Sequence, residues 1–388
     1  MKNLWIMTLV VTLILFMESC SKKSTKPNEG KLLAPINLKC EKIAPTVVML
    51  HWDDVCDCED GFKVERKKGN EEWTAPYATL KSNREEFTDT ISESITYRYR
   101  LYSFKDTLIS EKRETMMFSI QFVVDQAKSG DTVVIPDGIY YEKIDIWDKS
   151  IELRSQNGPS NCIIDGSLLY YISCQNSGIE VIYNSSTIRG FTIQHFSNCG
   201  IHLIGGSATV INCIVKENEG DNCSPCGIIN YCDSRAKIVN NLIYSNRVGI
   251  DVMGAPLIAN NIIAYSKQNS SGYLGYGICC TGRCDQYPNE AKIVNNIIYG
   301  NDSYGIYFYY ENRESITYCD VSDSVVGEIS LGVGCINSDP LFIDPVNGDF
   351  HLQSGSPCIN AGDPDPQYND IDGTRNDMGA YGGSFGNW

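Results

Sequence analysis

"AKIVNNLIYSNRVGI" (Ala236–Ile250) and "AKIVNNIIYGNDSYGI" (Ala291–Ile306) are nearly the same phrase, written twice 55 residues apart. Each reads as a short apolar run, a two-residue Asn corner, a second apolar run, and then Gly-Ile. The same grammar runs through "TIRGFTI…NCGIHLIG", "TVINCIV…PCGIINYC" and "LIANNII…GYGICCTG". The corner pairs start at Gly190, Asn212, Asn240, Asn260 and Asn295, at spacings of 22, 28, 20 and 35 residues. A base period near 20–22 residues with insertions predicts one coil of a right-handed parallel β-helix per repeat. A coil cannot bury its inward residues alone, so each neighbour must repeat its pattern. Asn suits such a corner because it tolerates left-handed backbone and can hydrogen-bond its copy in the next coil. Asn241, Asn261 and Asn296 are expected to form that ladder in the left-handed position, with Cys213 interrupting it. The repeats are placed at 118–360, and about ten coils would span ~50 Å at the usual strand spacing. A short amphipathic helix ending at Gly130 is expected to lid the start of the stack.

The rest of the chain sets this solenoid in context. At 388 residues it is too long for one ordinary core, and its net charge of −16 argues against a nucleic-acid partner. Residues 1–20 read as an export signal: Lys2, the apolar stretch Leu4–Phe16, then Ser19-Cys20, which resembles a bacterial lipoprotein cleavage site. The expectation is a lipid on Cys20, a polar tether over 21–32, and a monomer anchored in the bacterial envelope by its lipid. Sixteen of the 17 cysteines then remain, a number that permits disulfides in an exported chain.

Residues 33–117 carry short alternating runs ("TVVMLHW", "GFKVERKK", "ITYRYRLYSF") broken by turns, the pattern of an antiparallel β-sandwich. With Trp52 as the buried indole and Tyr97 at the tyrosine corner, this segment resembles a fibronectin type III module, which implies a spacer or docking role. The acidic loop "DDVCDCED" (Asp53–Asp60) is either a Ca²⁺ site or a solvated loop with Cys56 or Cys58 bonded to Cys40.

The ending, "SDPLFIDPVNGDFHLQSGSPCINAGD…DIDGTRNDMGAYGG", resembles the close of secreted bacterial right-handed β-helix proteins of the pectate-lyase-like superfamily. That resemblance implies fold more than activity. Residues 361–388 are expected to cap the last coil, and Asp363, Asp365, Asp370 and Asp372 either ligate Ca²⁺ or belong to cap turns.

The family's enzymes work in a groove on one outer sheet. If Ile201, Ile228, Ile250, Ile278 and Ile306 face inward, then His202, Ile229, Asp251, Cys279 and Tyr307 form an outer column. Ile204, Tyr231, Met253, Thr281 and Tyr309 form a second. Tyr231, Tyr307, Tyr309 and His202 are the candidate sugar contacts, since tyrosine rings suit sugar faces. Insertions at 216–226, 265–276 and 279–290 are expected to wall this groove. Their cysteines are read as disulfides or a Zn²⁺ site, with Cys280 facing inward as core. The hydrolase motifs "NTD", "DD" and "GHG" are missing from the repeats. Asp251 with Arg235, Lys237 or Arg283 could serve a lyase, removing the proton α to a uronate. Scattered surface charge explains the same residues. Three readings stay open: a groove that engages polysaccharide, a polysaccharide lyase or glycoside hydrolase with a degenerate motif, and an adhesin or stalk with no small ligand.

Overall fold

The computed structural model describes residues 31–92, 95–169, 177–220, 225–231, 234–268, 272, 274–280, 290–309, 315–327 and 329–388. The export signal, Cys20 and most of the tether lie outside these residues, as do Cys223, Cys232, Thr281, Arg283 and Cys284. Chain packing separates two compact units, the second of which holds Met117–Trp388 together with Glu41–Val48 and Asp89–Tyr97.

The N-terminal β-sandwich is fibronectin type III-like. Strands Ile36–Ala44, Val47–Asp53 and Glu86–Thr90 form one sheet. Gly61–Lys68, Thr74–Lys81, Tyr97–Lys105, Leu108–Ile109 and Arg113–Met117 form the other. Trp52 is buried edge-on to Phe62, with ring centroids 5.5 Å apart. The Tyr97 hydroxyl accepts the Ser92 amide at 3.0 Å, which fixes the corner. Cys56 and Cys58 are bonded to each other. This corrects the expected pairing with Cys40.

The second unit is a right-handed parallel β-helix of three eight-stranded sheets. Sheet A runs from Thr132–Ile135 to Ser315–Thr317, sheet B from Gly138–Tyr140 to Asp320–Val321, and sheet C from Ile144–Trp147 to Val325–Val326. Among the described residues this makes eight coils rather than ten, ~34 Å of stacked strands. Residues beyond them lay one more partial pass, where Val321 donates to the Ile336 carbonyl at 2.9 Å. Like stacks on like. Leu153, Ile188, Val210, Ile238, Ile258 and Ile293 form one fully buried column of sheet A. The Gly-Ile isoleucines form another in sheet C, in the expected register.

The corners explain the repeated polar words. Asn212, Asn240, Asn260 and Asn295 are left-handed, with φ between 52° and 58°. The residue after each of the last three makes the ladder. Asn241 N–H donates to Asn261 Oδ1 at 3.0 Å, and Asn261 N–H donates to Asn296 Oδ1 at 2.9 Å. The ladder trio is therefore right, but the left-handed residue is the first Asn of each pair. Cys213 and Cys319 end the ladder. A second ladder lies at the corner from sheet B to sheet C, where Asn218 donates to Asn246 Oδ1 and Ser266 N–H to Asn301 Oδ1.

The glycine of Gly-Ile has a steric reason. A Cβ on Gly249 would lie 2.5 Å from the Gly277 carbonyl oxygen and 2.5 Å from Ile263, inside the stack. Glycine and isoleucine both turn inward at this corner.

The helix Ile120–Gln126, capped by Ser119, buries Ile120 and Val124 against the first coil. The C-terminal segment lies along the flank of the stack instead of across its end. Sheet B is apolar on its outer face at Leu242, Ile262 and Ile297, and Phe342, Phe350, Met378 and Ala380 cover that stripe. Asn240 and Asn260 pin the segment by donating to the carbonyls of Ala380, Gly382 and Asp377.

Candidate functional site

Sheet C presents three outward columns, and strand register fixes their members. The column after each inward isoleucine holds Asp145, Glu180, His202, Ile229, Asp251, Cys279 and Tyr307. The next holds Trp147, Ile182, Ile204 and Tyr231, with Tyr309 at the equivalent position of the seventh coil. The column before each glycine holds Cys199, Cys226, Val248, Tyr276 and Tyr304.

The predicted aromatic residues sit where the spacing placed them. Tyr231 is 43% exposed and Tyr309 61% exposed. Tyr307 packs between Tyr276, Tyr304 and Tyr309, with centroids 5.2, 5.6 and 6.3 Å away. Tyr276 and Tyr304 stack at 5.9 Å with 15° between their planes. Four rings thus buttress one another over the sixth and seventh coils. His202 meets the Tyr231 ring edge-on at 6.0 Å. Its Nδ1 lies 3.8 Å from Glu180, and its Nε2 is buried without a partner among the described residues.

Charge along this face is acidic, and its carboxyls differ. Burial opposes ionisation of Glu180, but the neighbouring His202 ring and the Lys143 charge outweigh it and hold that carboxyl below its ordinary range. Asp145, its register neighbour, is pushed up, first by burial and then by the Glu180 charge. Asp251 is only 6% exposed, so the carboxylate expected to line an open groove is largely covered. Burial raises the Cys279 thiol, and the charge of neighbouring Asp251 raises it further.

The proposed catalytic group is not brought together. Arg235 is exposed on the connection leaving sheet C, while Lys237 projects from sheet A. The four C-terminal aspartates serve local turns. Asp363 accepts the Asp365 amide, Asp365 the Gln367 amide, and Asp372 the Thr374 amide and hydroxyl. Asp370 takes the amides of Asp377 and Gly383. No cluster of ligand atoms forms around them among the described residues. Cys280 is core, as expected, and the Cys226 sulfur lies 2.6 Å from that of Cys199 in the coil before.

Reading from the Gly-Ile strands missed Trp147, which is 55% exposed, along with Asp145 and Glu180. "SGIEVI" (Ser177–Ile182) carries the Gly-Ile signal, but no Asn corner precedes it. Also missed was the Asp165–His195–Glu217 chain at the end of sheet B. There His195 Nδ1 lies 3.1 Å from Asp165, and its Nε2 lies 3.1 Å from Glu217.

No protein-family profile and no curated protein matches the chain. Among solved structures, the pectate lyase Pel9A is similar at 13% identity and a TM-score of 0.41, covering 68% of this chain and 90% of that one. Pectate lyase PelI from Erwinia chrysanthemi, solved with tetragalacturonic acid, is similar at 12% identity and a TM-score of 0.22, covering 76% and 90%. A computer-redesigned β-sandwich is similar at 22% identity and a TM-score of 0.21, covering 23% and 90%. At these identities and scores nothing passes from them to the chemistry of this chain.

Proposed function

We propose that the outer face of sheet C binds a polysaccharide laid along the stack. The observation that carries this reading is the exposed aromatic column of Trp147, Tyr231 and Tyr309, on the first, fourth and seventh coils. Successive rings are ~14 Å apart along the axis, at three strand spacings each. A parallel strand holds each ring rigidly, so stacking costs little side-chain entropy. The carboxylates of Asp145, Glu180 and Asp251 on this face favour a neutral polymer over a polyanion. The sandwich acts as a spacer, and a lipid on Cys20 holds the assembly in the bacterial envelope.

Affinity electrophoresis in gels cast with neutral polysaccharides (xylan, galactan, β-glucan) or with polygalacturonate tests the reading. Retention by a neutral polymer should fall at least tenfold in the Trp147→Ala/Tyr231→Ala variant. Equal retention of parent and variant in every gel would move the binding surface elsewhere and favour the adhesin reading.

A second, catalytic reading is favoured by one observation: register-paired Asp145 and Glu180 have their ionisations pushed apart, as an acid and a base require. Glu180→Gln should then abolish release of reducing ends while retention persists. If the parent releases none, the face only binds.

A further inference from the structure

The outer face of sheet A carries a second concavity. Its floor is the column Thr187, Thr209, Lys237 and Leu257, beside Arg189, Ile211 and Val239. Its rim is the C-terminal segment. Asn240 pins Gly382, so that Ser384 and Phe385 reach out over the sheet. On the same rim, Lys292 donates to the Tyr368 hydroxyl at 2.8 Å and fixes that ring. Between floor and rim lies a cleft of about 330 Å³.

The chemistry of the cleft runs against that of the chain. In a protein of net charge −16 it gathers Arg189, Lys237 and, at its edge, Lys292. Arg189 lies 3.5 Å from Glu152 and 5.8 Å from the Phe385 ring. Lys237 is exposed, and its ammonium makes no hydrogen bond or ion pair among the described residues. An uncommitted cation, threonine hydroxyls, an apolar floor and an aromatic edge together fit a small ring that carries a carboxylate and hydroxyls. The volume is at the low end for ligand sites, which suits one sugar unit better than a chain.

We propose that this cleft binds a single uronate, a carboxylated pyranose. Lys237 pairs with the carboxylate, Phe385 covers one face of the ring, and Thr187 and Thr209 meet hydroxyls. The site is separate from the sheet C face and does not depend on what that face binds.

Titration calorimetry of the whole exported chain with glucuronate, and with glucose as the neutral control, tests the proposal. Glucuronate should bind at least tenfold more tightly than glucose. Lys237→Gln, a change on an exposed side chain, should remove that preference, and Phe385→Ala should weaken glucuronate at least threefold. The Trp147→Ala/Tyr231→Ala variant should bind glucuronate as the parent does. The proposal is overturned if glucuronate binds no better than glucose, if Lys237→Gln binds it like the parent, or if the sheet C variant loses it.

Discussion

Replacing Asn261 by Leu keeps the number and branching of the side-chain heavy atoms and removes their polarity in the middle of the stack. Asn261 is fully buried. Its Oδ1 accepts both the Asn241 amide and Asn241 Nδ2, each at 3.0 Å. Its Nδ2 donates to the Ile238 carbonyl at 2.8 Å, to the Ala259 carbonyl at 3.1 Å and to Asn296 Oδ1 at 3.0 Å. Some partners survive the change. Asn241 Nδ2 still reaches the Val210 carbonyl, and Asn296 Oδ1 still accepts the amide of residue 261. The Asn241 amide loses its side-chain acceptor inside the core, which costs about 1–3 kcal/mol, and the weakened carbonyls add to it. The expected total is about 3 kcal/mol. With a urea slope near 3 kcal/mol per M, the midpoint followed by circular dichroism should fall by about 1 M. Asn260→Gly is the contrast. It keeps the left-handed corner and removes donors to Asn376 and Asp377, so the C-terminal segment should become protease-sensitive before the stack unfolds. A midpoint for Asn261→Leu within 0.2 M of the parent would refute the ladder as a source of stability.

Treatment with oxidised glutathione should join Cys199 to Cys226, 27 residues apart, and the linked peptides should appear by mass spectrometry. Closing that loop should add about 3.5 kcal/mol. Burial opposes ionisation of Asp165, but hydrogen bonds from Ser167, Gln194 and His195 outweigh it and lower its folded pKa. The stability it adds is therefore full above the unfolded value of about 3.9 and lost as pH falls through the lower folded value. The gap between parent and Asp165→Asn should close as pH falls below the ordinary carboxylate range, and a constant gap would contradict the assignment. Cys20→Ala should block incorporation of labelled lipid and leave an unprocessed precursor, and lipid incorporation in that variant would rule out Cys20 as the anchor.

Periodicity made the stack legible. Inward isoleucines, outward tyrosines and the ladder asparagines all follow from the spacing of "KIVNNIIY" and "YGI". Tyr276 and Tyr304 were lost to a local exception, since Gly and Ile both turn inward at that corner and alternation breaks one residue early. Trp147 and Glu180 were lost because the first two coils lack the Asn corner that marks the others. Grouping Lys237 with Asp251 failed for a related reason. They are 14 positions apart in sequence, but two corners turn the chain from sheet A through sheet B to sheet C between them. The flank position of the C-terminal segment had a readable cue. "NLIY" and "NIIY" are apolar on both faces of sheet B, and a strand with two apolar faces must be covered on both.

Hydroxyl-radical footprinting with and without a retained neutral polysaccharide tests the central claim most directly. The bound polymer should protect Trp147, Tyr231 and Tyr309 together and leave Tyr368 and Phe385 on the sheet A side unchanged. Protection confined to residues off sheet C, with those three rings oxidised as fast as in the free protein, would contradict the account.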